Sequence, residues 1–404
     1  MSRALGQKNF EKVSNISSFC FYGSLVVGVV GGAAILAFME PILGAIGTTT
    51  GTAGFAREYL SIIAMGGPLI VVSTAFTNII RGEGASKNSM IGMMVVTVVN
   101  IILDPIFILD EIFGIKLLGM GVKGAAIATL IGNAVSLAMF IAHILSKNSV
   151  LTLNIKRFKM GGGILAGVLV IGLPASLTNI LMSVSAIATN KLLASYFNVE
   201  VVSESLIPLV TTFIEGKPVY GDIPVSAMGA ALKANMLAIF VQLGLGMGIA
   251  PLIGYNYGAR KKERIYRTIR YGVLYASCFT VLGLICFQLF PGLLLGIFNP
   301  SPTMLAIGVP ALRRISISFL FAGFCIIAGS VCQALDKSLY SLFVSILRQV
   351  VALIPSAWLL AQTGNVDNVW WCFPIAEIVS LIASFFFLRS ALRGMDRRLS
   401  EVVD

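Results

Sequence analysis

Charge is scarce in this chain: Asp, Glu, Lys and Arg supply 12% of its 404 residues, about half the share of an ordinary soluble domain. With 57% hydrophobic residues beside that deficit, the polar surface is too small for water, which excludes a soluble globular fold. Histidine occurs once, as His143, near the inner end of an apolar run, where it reads as an interface residue rather than a ligand. The six cysteines, Cys20, Cys278, Cys286, Cys325, Cys332 and Cys372, all lie within apolar runs and show no metal or redox spacing, so they read as small packing residues. No nucleophile-and-base pair, metal cluster or cofactor fingerprint is present, which argues against an enzyme and a bound cofactor. A secretory leader is missing too, because sixteen mixed residues precede the first apolar run.

What the chain has is apolar runs of spanning length. They fall at about 17–39, 59–80, 90–109, 122–145 and 164–192, then 226–253, 271–290, 307–333, 338–361 and 370–388. The short alternating pattern of a membrane barrel is absent. Helices satisfy their own backbone groups in lipid, so the expected fold is all-α, polytopic, with about ten transmembrane helices. The net charge of +11 is distributed by topology: with the N-terminus cytoplasmic, twenty of the twenty-nine Lys and Arg fall in inside loops and four in outside loops. Both termini are therefore expected in the cytoplasm, and the basic residues need no nucleic-acid partner. The bilayer is the partner this composition demands, most simply a bacterial plasma membrane.

The runs also repeat. Leu5-Gly6-Gln7-Lys8-Asn9 stands against Tyr257-Gly258-Ala259-Arg260-Lys261, Arg81 against Gln333, and Pro105 against Pro355, at offsets of 252, 252 and 250 residues. Near-constant spacing over such a distance implies two copies of one unit. The expected organisation is an N-terminal lobe of four helices (1–145), a polar, basic cytoplasmic linker (146–161), a C-terminal lobe of six (162–390) and a cytoplasmic tail (391–404). An external insertion is expected at about 197–224, rich in Glu and Pro.

Several strings carry a family resemblance. They are Ser2-Arg3-Ala4-Leu5-Gly6, Arg81-Gly82-Glu83-Gly84, Asn100-Ile101-Ile102-Leu103-Asp104-Pro105, Gly121-Val122-Lys123-Gly124-Ala125-Ala126, Gly172-Leu173-Pro174-Ala175-Ser176, Pro251-Leu252-Ile253-Gly254-Tyr255-Asn256-Tyr257-Gly258-Ala259, and Arg348-Gln349 before Pro355. In this order they resemble the multidrug and toxic compound extrusion (MATE) family from Ser2 to about Leu392. The resemblance implies expulsion of lipophilic organic cations in exchange for Na⁺ or H⁺ by alternating access. It also implies a six-plus-six helix plan, so this four-plus-six pattern reads as that plan without its first two helices. In part of the family the first helix supplies an ion-handling acid, and no position here matches it.

Ionisable groups inside a membrane are costly and usually mark a path. Asp104 leads, because Pro105 frees the carbonyl of residue 101 and Asn100 sits one turn away. It is a ligand for Na⁺, a proton or a cationic drug, or it ties helices together by hydrogen bonds. Asn78 and Asn133 are candidate companions. In the second lobe Glu377 and Gln349, with Asn179 and Asn190, are candidates, and Arg348 with Glu377 is read as a structural pair. Glu83 and Arg81 are assigned to a gate or a structural turn. Three functions remain: a multidrug carrier, expected to be monomeric; a lipid-linked oligosaccharide flippase, which five in-span basic residues would suit; and a non-transporting remnant.

Overall fold

The computed structural model describes residues 1–46, 53–112, 115–146, 149–159, 161, 163–197, 213–214, 217–218, 223–298, 300 and 302–400. It divides into two compact units, Met1–Leu165 and Ala166–Asp404. The first holds α1 (Ser2–Gly6), α2 (Phe10–Ala37), α3 (Met39–Ile46), α4 (Ala53–Met65), α5 (Gly67–Glu83), α6 (Ser86–Ile108) and α7 (Val122–Leu145). A two-residue hairpin, Glu111–Ile112 with Ile115–Lys116, joins α6 to α7. Helix α8 (Ile164–Phe197) starts at the boundary. The second unit continues with α9 (Ile223–Gly258), α10 (Lys262–Leu289), α11 (Pro291–Gly296), α12 (Pro302–Ser316), α13 (Phe319–Ala334), α14 (Ser338–Ile346), a π-helical turn Leu347–Leu353, α15 (Ile354–Ala361), α16 (Val366–Val369) and α17 (Cys372–Ser400). A second short hairpin pairs Phe213–Ile214 with Lys217–Pro218; the rest of the expected insertion, including Glu200, Glu204, Glu215 and Asp222, lies outside the described residues.

Among the described residues eight helices are long and apolar enough to span, and two bent pairs, α4 with α5 and α12 with α13, bring the count to ten. This is the all-helical, ten-span membrane fold that the apolar runs predict. The second and eighth runs are bent, by 62° and 52°. At the first bend Pro68 has no N–H, so the carbonyl of Ala64 loses its helical donor. That carbonyl points instead at Gly32 of α2, where an added Cβ would stand 2.3 Å from it, and a Cβ on Gly28 would stand 2.5 Å from Pro68 Cα. Gly28 and Gly32 form the small-xxx-small seam that lets two membrane helices touch backbone to backbone. At the second bend, Gln288 Nε2 donates to the Arg313 carbonyl at 2.8 Å, while the Ser316 and Ser318 hydroxyls donate to the carbonyls of Arg313 and Ile315.

The repeat read from the sequence is present in the backbone. Lys8 and Arg260 both take left-handed dihedrals, φ 58° and 57°, and so do Gly84 and Asp336, at 104° and 62°. Each pair is 252 residues apart. The turn hydrogen bonds match as well: Asn9 N–H to Ala4 O and Lys261 N–H to Asn256 O are both 2.9 Å. Helices α2 and α10 are both 28 residues long, and the bends follow Gly66 and Ser318, again one offset apart. Non-glycine residues in left-handed turns are uncommon, so their recurrence at equivalent places reflects a shared fold rather than local preference.

Helix α2 begins seven residues before the apolar run at 17–39, because hydropathy senses only the part in lipid. Substituting Gly32 by leucine is expected to cost on the order of 1–3 kcal/mol through overpacking against Ala64. Gly31→Leu, with nothing within 4 Å of its added Cβ, is the control. Thermal unfolding in detergent should fall for the first variant and not for the second.

Candidate functional site

Asp104 sits near the end of α6, just before its internal Pro105. The helix is held open-ended there by the following loop, whose N–H groups at Leu118, Met120 and Gly121 donate to the carbonyls of Ile106, Phe107 and Ile108. Glycines set α7 against α6: a Cβ on Gly124 would lie 2.5 Å from the Phe107 carbonyl oxygen, and one on Gly132 3.1 Å from that of Val96. Within this close-packed pair the Oδ1 atoms of Asn100 and Asp104 are both buried and have no hydrogen-bond partner. They lie one helical turn apart. An orphaned buried carboxylate oxygen costs several kcal/mol in an apolar surrounding, so the pair is a place where an outside donor or cation is favoured.

The other candidates of the first unit are placed differently. Asn78 is exposed, donates to the Thr74 carbonyl at 3.1 Å and accepts from Arg81 at 3.4 Å. Arg81 also contacts the sulfur of Met93 at 3.4 Å. Asn133 is buried at 9% exposure and donates along its own helix to the Thr129 carbonyl. The structure thus links Asn78 to Arg81 by a hydrogen bond and leaves Asn100 and Asp104 one turn apart on α6 with their Oδ1 atoms unpartnered.

Glu83 is the centre of a second polar cluster. One carboxylate oxygen accepts from Ser149 Oγ at 2.8 Å and from the Val150 N–H at 2.7 Å; the other meets His143 Nε2 at 3.1 Å. Asn88 Nδ2 lies 2.8 Å from His143 Nδ1. A neutral imidazole satisfies both contacts, donating from Nε2 to Glu83 and accepting at Nδ1 from Asn88. His143 and Glu83 side chains are 12% and 8% exposed, so His143, at the inner end of its helix, is a largely covered partner of Glu83. Beyond Val150 the chain forms a strap along α2. Ser17, Ser18 and Tyr22 hydroxyls donate to the carbonyls of Thr152, Asn154 and Leu153 at 3.0, 2.9 and 3.0 Å, and Phe158 stacks on Phe19. Deleting the carboxylate with Glu83→Ala should loosen the strap. Faster limited proteolysis within 149–159, with the remaining fragments intact, is the expected outcome.

In the second unit Arg348 Nη1 approaches Glu377 Oε2 at 3.4 Å, their side chains 25% and 9% exposed. Arg348 and Gln349 fall in the π-helical turn just before Pro355, where a proline without an N–H disrupts the regular ladder. Gln349, 6% exposed, accepts from Ser185 Oγ at 2.5 Å, which ties that turn to α8. Asn179 and Asn190 are exposed on α8. Helix α9 adds Asn235 and Gln242, 7% and 0% exposed, whose side-chain oxygens have no partner. Asn235 escaped the sequence reading; its seven-residue spacing from Gln242 places both on one helical face and was the available signal. Among the described residues no group of three or more His, Cys, Asp or Glu is arranged to hold a metal ion. Arg348→Ala strands a buried carboxylate and is expected to cost about 3–5 kcal/mol, whereas Arg348→Met with Glu377→Leu should recover most of it. Thermal unfolding of the two variants checks this.

Comparison with known proteins bears on the whole of this arrangement. The MatE family model matches residues 1–106 and 197–359. The multidrug export protein MepA of Staphylococcus saprophyticus is 28% identical over 392 residues, which is 96% of this chain and 79% of that protein. MepA of Staphylococcus haemolyticus is likewise 28% identical, over 395 residues, with the same coverage of 96% and 79%. The fold of an outward-facing multidrug resistance MATE family transporter of the MOP superfamily superposes with a TM-score of 0.85 at 24% identity, over 98% of this chain and 82% of that one. Ten spans built on one repeated backbone, together with a family match over most of the sequence, establish that this multi-pass membrane protein belongs to the MatE family.

Proposed function

We propose that this protein is a secondary active multidrug efflux transporter of the bacterial plasma membrane, exchanging lipophilic organic cations for Na⁺ or H⁺ by alternating access. The observation that carries this reading is the pair of unpartnered, buried oxygens on Asn100 and Asp104, within a membrane-spanning helix. A carboxylate within a membrane-spanning helix commonly marks an ion or substrate path, where a transported species can supply its missing partner. Hard cations favour oxygen ligands, and both Oδ1 atoms fit that donor class; a proton or an organic ammonium would satisfy the same carboxylate. Cargo and coupling ion then compete for Asp104, and their mutual exclusion turns one gradient into export of the other. Asn133 is a supplementary polar group on the helix packed against α6, while Asn78, Asn179, Asn190, Gln349 and Glu377 are assigned to the wider path. The MepA relatives, named as multidrug export proteins, support the cargo class. The basic-loop asymmetry supports cytoplasmic termini.

The flippase reading draws on five in-span basic residues. Two of them are neutralised by carboxylates: Arg314 meets Asp367 at 2.9 Å and Arg348 meets Glu377 at 3.4 Å. Lys191, Lys233 and Arg313 are exposed. This distribution favours cationic cargo over an anionic lipid-linked sugar.

Ethidium efflux from energised cells is the test. Asp104→Asn at equal expression is expected to lower gradient-dependent efflux by about tenfold or more, in the range of ordinary coupling energies. Unchanged efflux removes Asp104 from the mechanism. Translocation of lipid-linked sugar without ethidium efflux replaces this reading with the flippase, and folded protein with neither activity replaces it with the remnant.

A further inference from the structure

Because α2 and α10 are 28-residue helices beginning one repeat offset apart, each residue on one has a counterpart on the other. The strap makes the two differ. On α2, Ser18 and Phe19 are 0% and 8% exposed beneath residues 149–158. Their counterparts on α10 are Arg270 and Tyr271, and Tyr22 corresponds to Leu274. Arg270 is exposed, and Tyr271 and Leu274 are 49% and 51% exposed. Among the described residues no strap lies over this face of the second copy.

What stands there instead is charge above aromatic above apolar surface. Arg267 and Arg270, one turn apart, are both exposed, as are Arg393 and Arg397 near the end of α17. The two helix ends are tied together, Tyr266 donating to Asp396 Oδ2 at 3.0 Å and Lys262 pairing with Asp396 Oδ1 at 3.0 Å. Lys262 is thus the basic residue nearest that carboxylate, and among the described residues none of the four arginines has an ion-pair partner. Further along α10, Tyr271 and Tyr275 stack with centroids 6.2 Å apart, followed by exposed Phe279, Leu282 and Ile285. This order matches a phospholipid from phosphate to acyl chain: cations at the headgroup, tyrosines at the interface, hydrocarbon beyond.

We propose that this face of the second unit binds an anionic phospholipid, its phosphate between Arg267 and Arg270 of α10 and Arg393 and Arg397 of α17, its acyl chain along Leu274, Phe279 and Leu282. Free phosphate would use the arginines but not the exposed tyrosine and apolar stripe.

The full chain in detergent is titrated with phosphatidylglycerol, with phosphatidylcholine of the same acyl chains, or with inorganic phosphate, reading the thermal unfolding midpoint. Phosphatidylglycerol is expected to raise the midpoint where the other two do not. Replacing Arg267, Arg270, Arg393 and Arg397 by Gln should raise the lipid concentration needed by at least about a hundredfold. The same four changed to Lys should retain the response, and Lys156→Gln with Arg157→Gln and Lys159→Gln in the strap should leave it unchanged. The proposal is overturned if phosphatidylcholine or inorganic phosphate works equally well, if the four-Gln protein responds normally, or if the strap variant loses as much.

Discussion

A backbone carbonyl or N–H inside hydrocarbon must find a partner within the protein, and the places where this chain meets that demand by unusual means organise everything else. Proline at position 68 withdraws a donor from Ala64, and the freed oxygen is pressed onto glycine in α2. At the equivalent bend of the second unit, glutamine and serine side chains take over the carbonyls. Before Pro355 the ladder widens into a π-turn. The second bend and the π-turn fall where polar side chains gather, and the Asp104 pair lies beside a third proline, Pro105.

The two units share a backbone and differ in what they hang on it. Left-handed turns, helix lengths and bend positions recur at a single offset. Asp104 in the first unit has an open oxygen, whereas Glu377 in the second keeps one oxygen open and turns the other toward Arg348. An uncompensated carboxylate invites a cation, whereas a paired one contributes mainly to rigidity. Among the described residues, α2 lies under the strap while the equivalent face of α10 shows Arg270, Tyr271 and Leu274.

The strap changes the meaning of the segment between the copies. Polar and basic in composition, it reads as a tether, yet hydroxyls of α2 and the Glu83 carboxylate hold much of its backbone. Its backbone accepts from three serine and tyrosine hydroxyls of an apolar helix, and its first residues cap the Glu83 carboxylate that meets His143.

Composition and periodicity by themselves determined the class, the ten spans and the repeat, because burial in lipid imposes a length and an apolarity that any chain must display. That Asp104 and Asn100 are polar groups inside a spanning run was legible for the same reason: a charge within such a run stands out. Only the tertiary structure decided that His143 belongs with Glu83, that Gln349 accepts from Ser185 and that Asn78 serves Arg81. Those partners are distant in sequence or one of several within reach, and hydrogen bonding depends on separations of tenths of an ångström, which spacing along a chain does not specify. The bends, too, needed the fold, since proline permits a kink but the glycine facing it across the helix pair sets where the freed carbonyl goes.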